Sequence, residues 1–147
     1  MEESILQGKN IVEKSIARRD FQRGGEVSSK LKTLLRKLGV DAAIIRKASI
    51  VTYELEMNII IHSEGGKISA FITSDSINVC AEDKGPGIED LDKAFQPGYS
   101  TATDEIRELG FGAGMGLINV KKYSDNMEVD TDPEKGTEIR VQINLNE

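Results

Sequence analysis

Residues 42–62 read AAIIRKASIVTYELEMNIIIH, and apolar side chains fall on nearly every side of the helix this run would make. Ala42, Ala43, Ile44, Ile45, Ala48, Ile50, Val51, Leu55, Met57, Ile59, Ile60 and Ile61 carry the pattern. A surface helix confines its apolar residues to one stripe, so a helix this apolar is expected to be largely buried. Asp41 stands where a capping side chain would start it. Such a helix needs cover from several directions, and the flanking sequence supplies it.

Upstream, EVSSKLKTLLRKLG places Val27, Leu31, Leu34, Leu35 and Leu38 at helical spacing, with Gly39 as the residue that ends the helix. Further upstream, partial alternation predicts an edge or outer strand over Ile11–Phe21. Downstream, Gly65-Gly66 turns the chain into KISAFITS and SINVCAED, two alternating runs that read as a hairpin around Asp75. A short helix over 88–95 and another over Met115–Tyr123 follow, then two strands, NMEVDTD and GTEIRVQINL. The order βααββ, loop, αββ predicts an α+β fold. Its form would be a two-layer sandwich, a mostly antiparallel mixed sheet with helices on one face.

The 147 residues suit one domain over 1–147, since domains commonly run about 100–150 residues. The balance of 19 Lys+Arg against 25 Asp+Glu gives −6, which argues against non-specific nucleic-acid binding. One cysteine, Cys80, excludes an internal disulfide framework and a Cys-based zinc site. No apolar run approaches the roughly 20 residues of a membrane span, and MEESILQGKN lacks the order of a secretory signal. A cytoplasmic protein with no membrane association is expected.

Three constellations carry chemistry. Glu54, Asn58 and His62 recur every fourth residue and share one face of the long helix. A carboxamide oxygen suits Mg²⁺, and a carboxylate one turn earlier can take a proton from a hydroxyl. The same stripe also suits side chains that merely bond to each other or to nearby backbone. The second is Asp83-Lys84-Gly85-Pro86-Gly87-Ile88, directly after a strand. A carboxylate at a strand end can accept from a base's exocyclic amine, and the glycines let a flat ring approach the backbone. A plain tight turn is the alternative. The third is Gly110-Phe111-Gly112-Ala113-Gly114-Met115-Gly116, leading into a helix. Its backbone amides suit phosphate. The spacing fits neither the dinucleotide fingerprint nor a P-loop, and a flexible linker is the alternative. Residues 84–116 hold seven of the 14 glycines.

Together these segments resemble the GHKL superfamily of Bergerat-fold ATPases and kinases. Glu54-Leu55-Glu56-Met57-Asn58-Ile59-Ile60-Ile61-His62 resembles its N box, and Glu82-Asp83-Lys84-Gly85-Pro86-Gly87-Ile88 its first glycine box. Gly112-Ala113-Gly114-Met115-Gly116-Leu117 resembles the second, and Gly136-Thr137 the final element of the site. Within the superfamily the chain is most similar to the stand-alone serine kinases of bacterial partner switching, the anti-sigma factors and switch kinases. Gly98-Tyr99-Ser100-Thr101 is similar to the switch-kinase type.

The resemblance implies ATP or ADP with Mg²⁺. Asp83 would bind the adenine amine, with Thr137 near the same ring, and Gly85, Gly87 and Ile88 beside it. Asn58 would hold the metal, with His62 at the end of the same stripe. Glu54, chosen over Glu56 for its spacing to Asn58, would be the catalytic base. Ser100, Thr101, Gly110, Gly112, Ala113, Gly114, Met115, Gly116 and Leu117 would serve the phosphates and a lid over 97–114, with Arg107 or Lys93 adding charge. Ser63 departs from the family, where a glycine often follows the histidine, and Glu105–Gly110 makes a longer lid than in compact switch kinases.

The function implied is a protein serine kinase acting on a STAS-type antagonist and regulating a sigma factor or a phosphatase. The alternative is a non-catalytic nucleotide sensor whose lid controls docking. A detached histidine-kinase domain is disfavoured, because the one histidine lies in the metal helix. A plain interaction protein is the last alternative. A homodimer through the first helix or outer strand is expected. Cys80 reads as a small packed residue, and Lys30, Lys32, Arg36 and Lys37 as a solvated helix face.

Overall fold

A computed structural model describes residues 12–17, 24–84, 116–132 and 134–145. Strands β1 (Val12–Ile16), β2 (Gly66–Ile72), β3 (Ser76–Asp83), β4 (Asn126–Asp132) and β5 (Gly136–Asn144) form one sheet in the order β1-β2-β3-β5-β4. Every pairing is antiparallel, so the expected mixed character is absent among the described residues. Helices α1 (Glu26–Lys37), α2 (Ala42–His62) and α3 (Gly116–Tyr123) complete the α+β sandwich.

The sheet's apolar face follows from alternation. Ile68 and Ala70 on β2, Ile77, Val79 and Ala81 on β3, and Ile139, Val141 and Ile143 on β5 are all buried. Cross-strand partners keep them aligned: Val79 lies opposite both Ala70 and Val141. The other face carries Cys80, Glu82, Glu138 and Arg140. There Arg140 pairs with Glu128 and Glu138.

α2 packs against α1 and α3 as well as the sheet, which is why apolar residues on many of its sides are buried. Its cap differs from expectation. Asp41 is at the N-cap, but its side chain makes no capping bond. At the other end, Ser63 Oγ donates to the Ile59 carbonyl at 2.7 Å and accepts the Gly65 N–H at 3.1 Å. The positive φ of 116° falls on Gly65, so serine is accommodated where the family often has glycine.

α1 buries Val27, Leu31 and Leu35, one turn apart, and ends as expected at Gly39 (φ 75°). The Gly39 N–H bonds to Arg36 and the Val40 N–H to Leu35, a Schellman closure. Leu38 sits outside this stripe, at the C-cap, and is 58% exposed. The hairpin turn is tied by the Thr73 hydroxyl, which accepts the N–H groups of Asp75 and Ser76. The first strand ends at Ile16, with Ala17 outside it, short of the expected end at Phe21; Ile11 and 18–23 lie outside the described residues, as do Met115 and the short helix expected over 88–95.

Candidate nucleotide site

Asp83 ends β3 opposite Gly66 of β2. The β3–β5 pairing runs to Glu82 opposite Glu138, so Asp83 arrives beside the start of β5. There the Thr137 N–H donates to Asp83 Oδ1 at 2.9 Å. Among the described residues, no hydrogen bond to Oδ2 is found. Burial pushes the carboxyl up to about 6, and the Thr137 amide pulls against that shift. The Thr137 hydroxyl lies 3.0 Å from that of Thr131 on β4, a contact with no sequence signal.

Gly66 is required by this arrangement. A Cβ there would lie 2.1 Å from the Glu82 carbonyl oxygen and 2.8 Å from the Asp83 Cα. Both are backbone atoms that cannot swing aside. A cleft of about 450 Å³ opens here, lined in part by Gly65, Gly66, Glu82, Asp83 and Lys84. Its walls include neither Glu54 nor Asn58, so it describes one side of Asp83 only.

Glu54 and Glu56 separate clearly. Glu56 is 1% exposed and accepts the Val27 N–H at 3.4 Å, closing the start of α1. Gly25, the N-cap of α1, has no side chain to do so. Burial raises the Glu56 carboxyl, opposed by these amide bonds. Glu54 faces α3 instead. A Cβ on Gly116 would lie 3.0 Å from Glu54 Oε2. Burial raises the Glu54 carboxyl, and Asn119 lowers it. Asn58 is half-buried one turn further along α2, and Leu117 is buried on α3.

The donor set suits a metal-bound nucleotide. It offers a hard carboxamide oxygen, a nearby carboxylate and a second carboxylate placed for an amine. Asn58, Glu54 and Asp83 would hold metal, hydroxyl proton and base respectively. His62 is the last residue of α2. Gly85, Gly87, Ile88, Ser100, Thr101, Gly110, Gly112, Ala113, Gly114 and Met115 lie outside the described residues, with Lys93, Arg107 and the lid expected over 97–114. Asn119 was missed by sequence reasoning. Its one signal is a carboxamide set among Leu117, Ile118 and Val120. Cys80 is half-buried, and burial, then Glu138 and Glu82, push its thiol up to about 11. Such a thiol is a packing residue rather than a nucleophile at neutral pH.

The family model described as histidine kinase-, DNA gyrase B- and HSP90-like ATPase matches residues 43–147. The anti-sigma F factor of Thermoanaerobacter sp. (strain X514) is 39% identical over 93 residues, 60% of this chain and 62% of that protein. That of Clostridium perfringens (strain 13 / Type A) is 34% identical over 79 residues, 54% of this chain and 53% of that protein. The serine/threonine-protein kinase RsbT of Bacillus subtilis (strain 168) is 28% identical over 114 residues, 75% of this chain and 80% of that protein. The chain thus spans less than two thirds of the length of these anti-sigma F factors. Among the described residues, no helix is long and apolar enough to cross a membrane.

Proposed function

This chain belongs to the histidine kinase-, DNA gyrase B- and HSP90-like ATPase family, and we propose that it is an ATP- and Mg²⁺-dependent protein serine kinase of a partner-switching system. Its substrate would be a serine of a STAS-type antagonist, and its output the control of a sigma factor or phosphatase. The observation that carries this reading is the separation of the two glutamates. Glu56 is consumed in capping α1, whereas Glu54 faces the helix that follows the glycine loop. The kinships to RsbT and the anti-sigma F factors support the same class.

Asp83 accepts the adenine amine, and the Thr137 amide holds its carboxylate in place. Asn58 would hold Mg²⁺, which when bound neutralises phosphate charge. Glu54 takes the proton of the partner's serine hydroxyl as that oxygen bonds to the γ-phosphorus. The bond from phosphorus to the β–γ bridging oxygen breaks, and ADP leaves with its electron pair. Positioning and charge neutralisation supply most of the acceleration in such transfers.

The test is incubation with Mg²⁺, γ-labelled ATP and a STAS protein encoded beside this gene. Label on the STAS serine is expected. No nucleotide binding at millimolar ATP would end the reading. Binding without transfer would favour the second reading, a non-catalytic nucleotide sensor that controls partner docking.

A further inference from the structure

A groove of about 610 Å³ runs between α1 and α2 and shares no lining residue with the cleft beside Asp83. On α2 its lining extends from Ala42 to Ile50, about 12 Å of helix. Val40, Ile45 and Ile50 supply its apolar part. Lys32 and Arg36, one turn apart on α1, and Arg46 on α2 line it as exposed cations. The basic run on α1 therefore divides, because Lys30 and Lys37 do not line the groove. Among the described residues no carboxylate forms an ion pair with Lys32, Arg36 or Arg46.

The charge around the groove is opposite in sign to that of the whole chain. Residues 26–53 carry six basic side chains against two acidic ones, in a chain of net charge −6. Of those two acids, Glu26 pairs with Lys14 at the far end of α1, and Asp41 is the N-cap of α2. Ala42, the first residue of α2, brings the positive end of that helix's dipole to the groove. Leu38, between the lining residues Arg36 and Val40, is largely exposed and adds apolar surface.

We propose that this groove docks an acidic amphipathic segment of a partner protein, about two helical turns long. Its apolar side chains would cover Val40, Ile45 and Ile50, and its carboxylates would meet Lys32 and Arg36 on one side and Arg46 on the other. A small anion would pair with the cations and leave the apolar lining in water. A basic segment would be repelled. The local positive field in an acidic protein also steers such a partner to this face. Docking here does not depend on phosphoryl transfer, so it stands or falls apart from the kinase reading.

The probe is a synthetic peptide of three helical turns, with leucine at i, i+3, i+4 and i+7 and glutamate elsewhere. Its twin carries lysine in place of glutamate. The glutamate peptide is expected to shift the Ile45 and Ile50 methyl resonances of the whole chain, with micromolar affinity that weakens as salt rises. The lysine twin should leave them in place. Lys32→Glu/Arg46→Glu should lower the affinity about tenfold or more, and Lys32→Ala/Arg46→Ala, which adds no new charge, should lower it less. The Ile68, Ile139 and Ile143 methyls, buried on the sheet, report that both variants remain folded.

Unmoved Ile45 and Ile50 methyls at millimolar glutamate peptide overturn the proposal, as does equal binding of the lysine twin or binding that is undiminished in both variants. Two other occupants have their own signatures. A second copy of the chain would shift the Ile50 methyl with protein concentration alone, and residues 1–10 of the same chain would shift it on their removal. Either result overturns the proposal.

Discussion

The Thr137 N–H donates to Asp83 Oδ1 across 54 residues of chain, at 2.9 Å. It joins the end of β3 to the start of β5, and the sheet registers both strands so that the bond forms. A carboxylate tied by one oxygen at the rim of a core is held in one orientation, which is what recognition of an amine requires.

Asp83→Asn tests that role. The asparagine oxygen can still accept from Thr137, and the buried charge is gone. The free variant should therefore melt no lower than wild type at pH 7. Its stabilisation by Mg-ADP should vanish, where a ligand at 100 times its dissociation constant adds about 2.7 kcal/mol. Thermal melts with and without nucleotide check both halves.

The same residue predicts a pH dependence. Its carboxyl is raised from 3.8 to about 6, so the folded protein holds the proton more tightly than the unfolded chain. Stability of the free protein from this group is therefore full below about 4 and is lost as pH rises through about 6. Nucleotide binding runs the other way, because the amine needs the ionised form. Mg-ADP affinity should be flat above pH 7 and weaken about tenfold per unit below 6. Calorimetry from pH 5 to 8 measures it, and a flat profile would contradict the assignment.

Glu54→Gln should leave Mg-ATP affinity and melting temperature near wild type. Transfer to the partner serine should drop about 10²- to 10⁴-fold, the range for a lost general base. A sensor would keep its regulatory output in this variant, so an unaltered reporter response identifies the second reading.

Gly66→Ala should damage fold and site together. The added methyl meets the Glu82 carbonyl at 2.1 Å, so β2 or the end of β3 must shift. A loss of about 1–3 kcal/mol is expected, as for overpacking. Because Asp83 lies opposite residue 66, nucleotide affinity should fall as well. Urea titration and calorimetry report the two effects separately.

Glu56→Ala leaves the Val27 amide without its acceptor at the start of α1. The cost is about 1–3 kcal/mol. Glu56→Gln keeps an acceptor oxygen and should retain more than half of that stability. Neither variant should alter the Glu54 carboxyl titration, since the two side chains face different helices.

Much was legible beforehand because helical period and strand alternation are local properties of a chain. The run 42–62 announced a buried helix, the hairpin announced itself by alternation, and Asp83 stood out at a strand end. Other relations depend on how distant elements meet. Asp41 occupied a capping position without making the bond, and Leu38 continued a helical pattern yet points outward at the helix end. The bond from Thr137 to Asp83 exists because β3 pairs with β5 rather than with β4, and sequence separation carries no trace of that order. Residue types and their spacing thus determined which helices and strands the chain forms. Packing of α2 between two helices decided which glutamate caps α1 and which faces the start of α3, because side-chain partners are set by contact in space.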